Sequence, residues 1–208
     1  MENPWLSIPL GDYEGHMGSA EVDQAALLAS EFRRAVRRAK PLSLALIGCA
    51  GGNGLEHVNP RVTQRVVAID IQPEYARAVL ARYGAMLPGL EVHVADVQDE
   101  TFSIAPVDLI HAALLFEYVD VERTLARLAA ICNRGGTLGT VLQLPAAGRA
   151  PVTPSPFPSL QQLAPFMHLV APWELESHAL RAGFRLEESD KVVSSAGKAF
   201  AVQRFRRV

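Results

Sequence analysis

LSLALIGCAGGNG, from Leu42 to Gly54, is the stretch whose reading decides the fold. Its first half is a short apolar run, the composition of a strand buried on both faces of a parallel sheet. Its second half breaks into Gly48, Ala50, Gly51, Gly52 and Gly54. Small residues there allow a turn in which backbone closely approaches whatever binds. The stretch reads as the first strand and binding loop of an α/β nucleotide-type domain.

The loop is not a phosphate cradle. A dinucleotide fingerprint needs G-x-G-x-x-G. Starting at Gly48 meets Ala50 and Asn53, and starting at Gly52 meets Gly54 and His57. A phosphate loop of the nucleotide-triphosphatase type needs Lys-Ser/Thr after the last glycine, where Leu55-Glu56 stands. A nucleoside without a pyrophosphate can still approach. Downstream, Asp70 closes the predicted strand Val66–Ile69, and Asp96 closes Leu90–Ala95. A carboxylate at such a strand end can accept hydrogen bonds from ribose hydroxyls, and open α/β sheets bind ligands at that edge. Asp96 with the Val97 amide can read an adenine edge.

Working outward, Pro41 ends a predicted helix Ser19–Lys40, with Ser19 as N-cap and Val22, Ala25, Ala26, Ala29, Phe32 and Val36 on one face. Arg33, Arg34, Arg37, Arg38 and Lys40 crowd its C-terminal end, where they suit the helix dipole and read as a solvated end. Residues 1–18 read as irregular because Pro4, Pro9, Gly11, Gly15 and Gly18 interrupt them. Their Trp5, Tyr13, His16 and Met17 suit a strap on the domain surface or a flap over a ligand. Further on, helices are predicted near Asn53–Val58 and over Pro73–Tyr83 and Val121–Cys132. Strands are predicted over Val107–Ala113 and Thr137–Leu144, with Arg134-Gly135-Gly136 capping the helix between them. This alternation implies parallel βα units with right-handed crossovers. Residues 145–172 hold half of the chain's 14 prolines and read as an insertion, a candidate substrate lid, with a short helix in Ser159–Val170. A helix over Trp173–Ala182 and strands over Phe184–Val193 and Ala199–Arg206 close the chain, Ser195-Ala196-Gly197-Lys198 supplying the turn.

The totals narrow the function. The chain of 208 residues has 20 basic and 22 acidic side chains, which is not the footprint of a nucleic-acid binder. No apolar run reaches the length of a membrane span, and the N-terminus lacks a secretory pattern, so a cytoplasmic protein is expected. Cys49 and Cys132 are too few and too unpatterned for a disulfide framework or a zinc site, and no metal is expected.

Four stretches in order, LALIGCAGGNGLEHV, VVAIDIQPEYARAVLARY, EVHVADVQD and VDLIHAALLFEYVDVERTLARLAAICNRGGTLGTVLQ, resemble the class I S-adenosylmethionine-dependent methyltransferases. The resemblance covers residues 42–144 and extends to the closing helix and hairpin. It implies one doubly wound, Rossmann-like domain over 1–208 with seven strands, mostly parallel, the last antiparallel. It also implies S-adenosylmethionine as cofactor. Gly48, Ala50 and Gly52 would line its methionine and ribose part, Asp70 would hold the ribose hydroxyls and Ile71 would pack on adenine. Asp96 and Val97 would meet the adenine amino group, and His111 and Ala112 would lie under the methionine moiety. The family usually has an acid where Leu46 stands and a glycine where Ala50 stands.

Methyl transfer needs alignment of nucleophile, methyl carbon and sulfur, and a base only if the nucleophile must lose a proton. Glu117 and His111 are the candidate bases. Tyr13, His16, Tyr118 and His168 are candidates to surround the acceptor, expected to be a small soluble molecule. Cys49 has no activating partner in the sequence. Two other readings stand beside this one: a non-catalytic binder of S-adenosylmethionine or another nucleoside, and an NAD(P)-dependent oxidoreductase, which the absent fingerprint disfavours.

Overall fold

The structure, a computed structural model, describes residues 3–146, 148 and 150–208. Residues 1 and 2 of the N-terminal segment, and 147 and 149 of the proline-rich one, lie outside the described residues. Strands β1 (Ser43–Ile47), β2 (Arg65–Asp70), β3 (Leu90–Val94), β4 (Val107–Ala113), β5 (Cys132–Gln143), β6 (Phe184–Val193) and β7 (Ala199–Arg207) form one sheet in the order β3-β2-β1-β4-β5-β7-β6. The first five run parallel, and β7 lies antiparallel between β5 and β6. This is the doubly wound, seven-stranded arrangement expected.

The alternation along β1 builds both layers. Leu44 and Leu46 join Phe32 and Val36 of α2 (Ala25–Ala39) and Val79 of α3 (Pro73–Tyr83) on one face. Ala45 and Ile47 join Leu125 and Leu128 of α4 (Val121–Ala130) and Leu175 and Ala179 of α5 (Pro172–Arg181) on the other. A strand covered on both sides needs apolar residues at every position, which is why β1 reads as a continuous run. Asp120 caps α4 by accepting the Arg123 N–H at 2.7 Å, and Gln72 caps α3 by accepting that of Glu74 at 3.2 Å.

Three boundaries differ from expectation. The described part of the N-terminal segment, residues 3–18, is not irregular: it holds a 3-10 turn at Pro4–Ser7 and a helix, α1 (Leu10–Gly18). Leu10, Tyr13 and Met17 share its inner side, and Gly15 sits where a Cβ would come 2.2 Å from the Phe157 ring. The glycine expected to break the helix is instead the place where the proline-rich segment lies against it. Consequently the helix expected from Ser19 starts at Ala25, and Ser19 closes α1. The third change is at the start of β5, which begins at Cys132 and carries Gly135 in a bulged stretch rather than as a helix cap. The arginines of α2 are not merely solvated: Arg34 pairs with Asp190 and Arg38 with Glu188 of β6, each at 2.9 Å.

The turn out of β1 depends on Gly54, at φ 99°, where a Cβ would stand 2.8 Å from the Phe32 ring. Gly54→Ala combines the left-handed penalty of an L-residue with overpacking, together about 2–4 kcal/mol. A matching fall in unfolding free energy in urea is expected, and an unchanged midpoint would show that the loop relaxes freely.

Candidate functional site

The site starts where β1 stops. The chain leaves Ile47 through three left-handed residues, Gly48 at φ 65°, Ala50 at φ 45° and Gly52 at φ 83°. For an alanine that conformation costs about 1–2 kcal/mol. It is held by the Ala50 N–H, which donates to Asp70 Oδ2 at 2.8 Å, while Asp70 Oδ1 accepts the Gln72 N–H at 3.0 Å. Burial raises the Asp70 carboxyl above its ordinary range, and the amides of Gln72, Ala50 and Ile71 pull it back down. At the next strand end, Asp96 Oδ1 accepts the Gln98 N–H at 2.9 Å.

These strand ends border a cavity of about 1120 Å³ of empty space, mouth included. Its floor is the carboxyl edge of the sheet: Gly48, Ala50, Asp70, Ile71, Asp96 and Val97, then Ala113 to Leu115 at the end of β4. Two covers close over it. The N-terminal segment contributes Trp5, Tyr13, His16 and Met17; the proline-rich segment contributes Val152, Leu160, Leu163 and Met167. The first cover is tied down by the Tyr75 hydroxyl donating to the Ile8 carbonyl at 3.0 Å and Gln72 Nε2 donating to that of Leu6 at 2.9 Å. Glu14 and Arg82 form an ion pair over Gly51, whose own carbonyl accepts from Arg82 at 3.2 Å. The covers join through Ser159 Oγ donating to Asp12 Oδ2 at 2.6 Å and the His16 Nδ1–Ser155 Oγ bond at 2.8 Å. Trp5 meets both Tyr13 and Tyr118 edge-on, at 5.9 and 5.0 Å between ring centres.

Most residues expected at the cofactor line this cavity, and so do Tyr13, His16 and Tyr118. Four candidates do not, and Glu117 sits behind the wall. Gly52 is packed beneath Tyr83, where a Cβ would come 2.7 Å from the ring. His111 lies deeper in β4, its ring edge-on to Phe32 at 5.2 Å, and burial lowers its pKa to about 4. Ala112 faces the opposite core with Ile110 and Leu125. His168 is exposed, and its neighbour Met167 reaches the cavity instead. Leu46 is buried in the apolar cluster of α2 and takes no part in the site. Sequence reasoning missed Gln24, Gln98, Gln143 and Lys198, all of which line the cavity. The sequence places Lys198 in a turn. It follows the left-handed Gly197, and its backbone closes that turn by accepting the Ser194 N–H at 2.8 Å, yet its side chain is buried. Among the described residues, no group of three or more His, Cys, Asp or Glu could hold a metal ion, and no helix is long and apolar enough to cross a membrane.

Residues 45–136 match the family model described as a methyltransferase domain. No curated protein matches the chain by sequence. Among solved structures, the N-methyltransferase NodS from Bradyrhizobium japonicum WM9, in complex with S-adenosyl-L-homocysteine, superimposes with a TM-score of 0.70 at 16% identity, covering 99% of both chains. The [4+2]-cyclase SpnF gives 0.68 at 13% identity over 89% of this chain and 82% of its own. A geranyl diphosphate methyltransferase, in complex with GPP and sinefungin, gives 0.67 at 15% identity over 89% and 82%. At these identities the likeness is one of fold.

Glu117 lies behind the cavity wall, fully buried. Its Oε1 accepts the Gln143 N–H at 2.7 Å, its backbone carbonyl accepts that of His168 at 2.8 Å, and Oε2 has no hydrogen-bond partner. Burial lifts its pKa from 4.5 to about 7, only partly opposed by the amides of Gln143 and Glu117. The folded state therefore holds a proton that the unfolded chain has lost. Stability falls as pH rises from about 4.5 to about 7, by up to about 3 kcal/mol from this one group, and is flat above. Glu117→Gln abolishes that component. Urea midpoints of both proteins at pH 5 and pH 7.5 should show the variant gaining on the wild type as pH rises; an equal offset at both would refute the assignment.

Proposed function

We propose that this chain, whose residues 45–136 belong to the methyltransferase domain family and whose cofactor is S-adenosylmethionine, moves the methyl group of that cofactor to a small, partly apolar acceptor. The observation that carries the reading is that Asp70 and Asp96, at neighbouring strand ends, open on one cavity together with the left-handed β1 loop. The residues fit the donor. Asp70 has already spent one lone pair of each oxygen on a backbone amide and keeps the others for the two ribose hydroxyls. Asp96 and the Val97 amide would meet the adenine edge, and Ile71 would pack beside it; all three line the cavity. Gly48 lines the cavity, and a Cβ there would stand in ordinary contact with Leu115 Cδ1 at 3.5 Å.

Bound there, S-adenosylmethionine supplies a methyl group already activated on a sulfonium sulfur. The work left to the chain is alignment, exclusion of water and, where needed, removal of a proton. The Trp5, Tyr13 and Tyr118 rings and the Leu160, Leu163 and Met167 side chains wall off the space beyond β4, so an acceptor held there meets few water molecules. His16 is the proton acceptor in this reading. Burial, and secondly the Lys198 charge, lower its pKa, so the ring is neutral at pH 7 and can take a proton. Its bond to Ser155 fixes the ring's orientation. The matched domain model and the neighbours named as methyltransferases support methyl transfer without specifying the acceptor; the geranyl diphosphate enzyme is named for a small one.

Calorimetry with S-adenosylhomocysteine tests the reading. The wild type is expected to bind it and to give no heat with NADH or NADPH. Asp70→Ala should weaken binding by about 1.5–3 kcal/mol, roughly 10- to 150-fold, the range for hydrogen bonds to charged groups. An unchanged dissociation constant would remove Asp70 from the site.

A further inference from the structure

The helix that follows the proline-rich segment is covered on one side and bare on the other. α5 buries Leu175 and Ala179 in the sheet's larger apolar cluster. At about 100° per residue, Trp173, Ser177 and Leu180 fall on the opposite side. Trp173 is 72% exposed, the highest value among the large apolar side chains of the described residues, and Leu180 is 64% exposed. Neither joins a buried cluster and neither borders the cavity. A single exposed leucine is ordinary on a protein surface, but a tryptophan is on average well buried. Tryptophan is also among the residues most enriched where interfaces concentrate their binding energy.

The charges on this bare side have a matching spacing. Glu174 follows Trp173 and Arg181 follows Leu180, so the apolar pair and the charged pair are offset alike, by about two helical turns. Among the described residues Glu174 forms no ion pair. Arg181 donates to Ser177 Oγ at 3.0 Å and meets His178 Nδ1 at 2.7 Å, and it too is without an acidic partner. An acid in the first turn and a base in the last suit the helix's own dipole. They also make the face self-complementary. When a second copy of α5 lies antiparallel on the first about a two-fold axis near Ser177, Trp173 of each copy meets Leu180 of the other. A two-fold axis perpendicular to both helices brings like flanks together, so Glu174 of each copy also meets Arg181 of the other. Every contact then occurs twice, as an isologous interface requires.

We propose that the Trp173–Leu180 face of α5 docks a second copy of this chain, the two α5 helices packing antiparallel in a closed dimer. A copy fits better than an unrelated partner because a single register satisfies the apolar pair and the charged pair together, each in duplicate. Antiparallel packing also sets the two helix dipoles head to tail. The helix has 10 residues and is about 15 Å long, too short to supply by itself the ~1,200–2,000 Å² of a standard interface. The dimer is therefore a reversible one, with a dissociation constant on the order of 10 µM. The proposal is independent of which acceptor the cavity takes, since none of the four residues borders it.

Sedimentation velocity of the full chain tests it. The wild type is expected to pass from monomer to dimer between about 1 and about 300 µM. Trp173→Ala should raise the dissociation constant about thirtyfold or more, the loss expected of a residue at an interface's energetic centre. Its urea midpoint in dilute solution should match the wild type's, because the side chain packs on nothing in the monomer. Leu180→Lys is the second variant and should also abolish most of the association. Glu174→Arg and Arg181→Glu should each weaken it about fivefold or more by bringing like charges together, and the double exchange should return it to within about twofold of the wild type. A wild type that stays monomeric at about 300 µM would overturn the proposal, whatever else the face binds. So would an assembly that grows past the dimer, a dimer that Trp173→Ala leaves intact, or a double exchange no tighter than the single ones.

Discussion

One buried carboxylate holds the site together. Asp70 takes the Ala50 amide on one oxygen and the Gln72 amide on the other, joining the loop after β1 to the turn after β2. The loop needs that tie because Ala50 stands in a conformation that an L-residue adopts only at a cost. A hydrogen bond to a charged group is worth about 1.5–3 kcal/mol, enough to cover that cost. Gly48, at the start of that loop, lines the cavity, and the two strand ends become one rim. The same two bonds orient Asp70 toward whatever lies above the sheet, so the residue that shapes the loop also presents the hydrogen-bond acceptors.

Everything above this rim comes from outside the βα core. The N-terminal segment runs from α3, where Tyr75 and Gln72 hold it, to α2 on the same face of the sheet, where Met17 meets Leu28; the proline-rich segment, which follows β5, meets it through Ser159. Both covers are built from large side chains on short or irregular backbone. Proline suits this use, since it stiffens a chain that has no ladder to join, and glycine at position 15 lets the Phe157 ring come against the helix. The covers meet in an apolar cluster that joins Ile8 and Trp5 of the first to Val152, Leu160 and Leu163 of the second, and through Ser159 to Asp12 and Ser155 to His16. Access to the cavity and the composition of its roof are therefore set by the same residues.

The sheet and the two acidic strand ends that line the cavity were legible in the sequence because they obey local rules. Buried parallel strands are apolar throughout, and a strand ending in Asp declares both its end and the edge to which ligands come. His111 illustrates the limit of that logic. It shares a strand face with Ala113, which does line the cavity, but stands two residues, about 6.6 Å, lower, and there Phe32 of α2 covers it. Depth along a strand depends on where the covering helix starts, and the start of α2 was misplaced because the glycines of α1 were read as breakers. His168 failed for a different reason: in a segment without period, neighbours 167 and 168 point apart, and no pattern tells which turns inward.

Lys198 was invisible for the most general reason. A lysine beside Ser-Ala-Gly at a hairpin tip has every mark of a solvated turn. What buries it is the antiparallel insertion of β7 between β5 and β6, which brings the start of β7 to the carboxyl edge of the parallel strands, with Leu144 N–H donating to the Ala199 carbonyl at 2.9 Å. A turn that would be a surface feature on an isolated hairpin thereby lies over the sheet edge where ligands bind. The topology that distinguishes this sheet from a wholly parallel one also carries a cation into the half of the cavity farthest from the two acids. The acidic end of the cavity follows from rules that many chains share; the other end depends on this chain's own proline-rich segment and on the residue that its last turn turns inward.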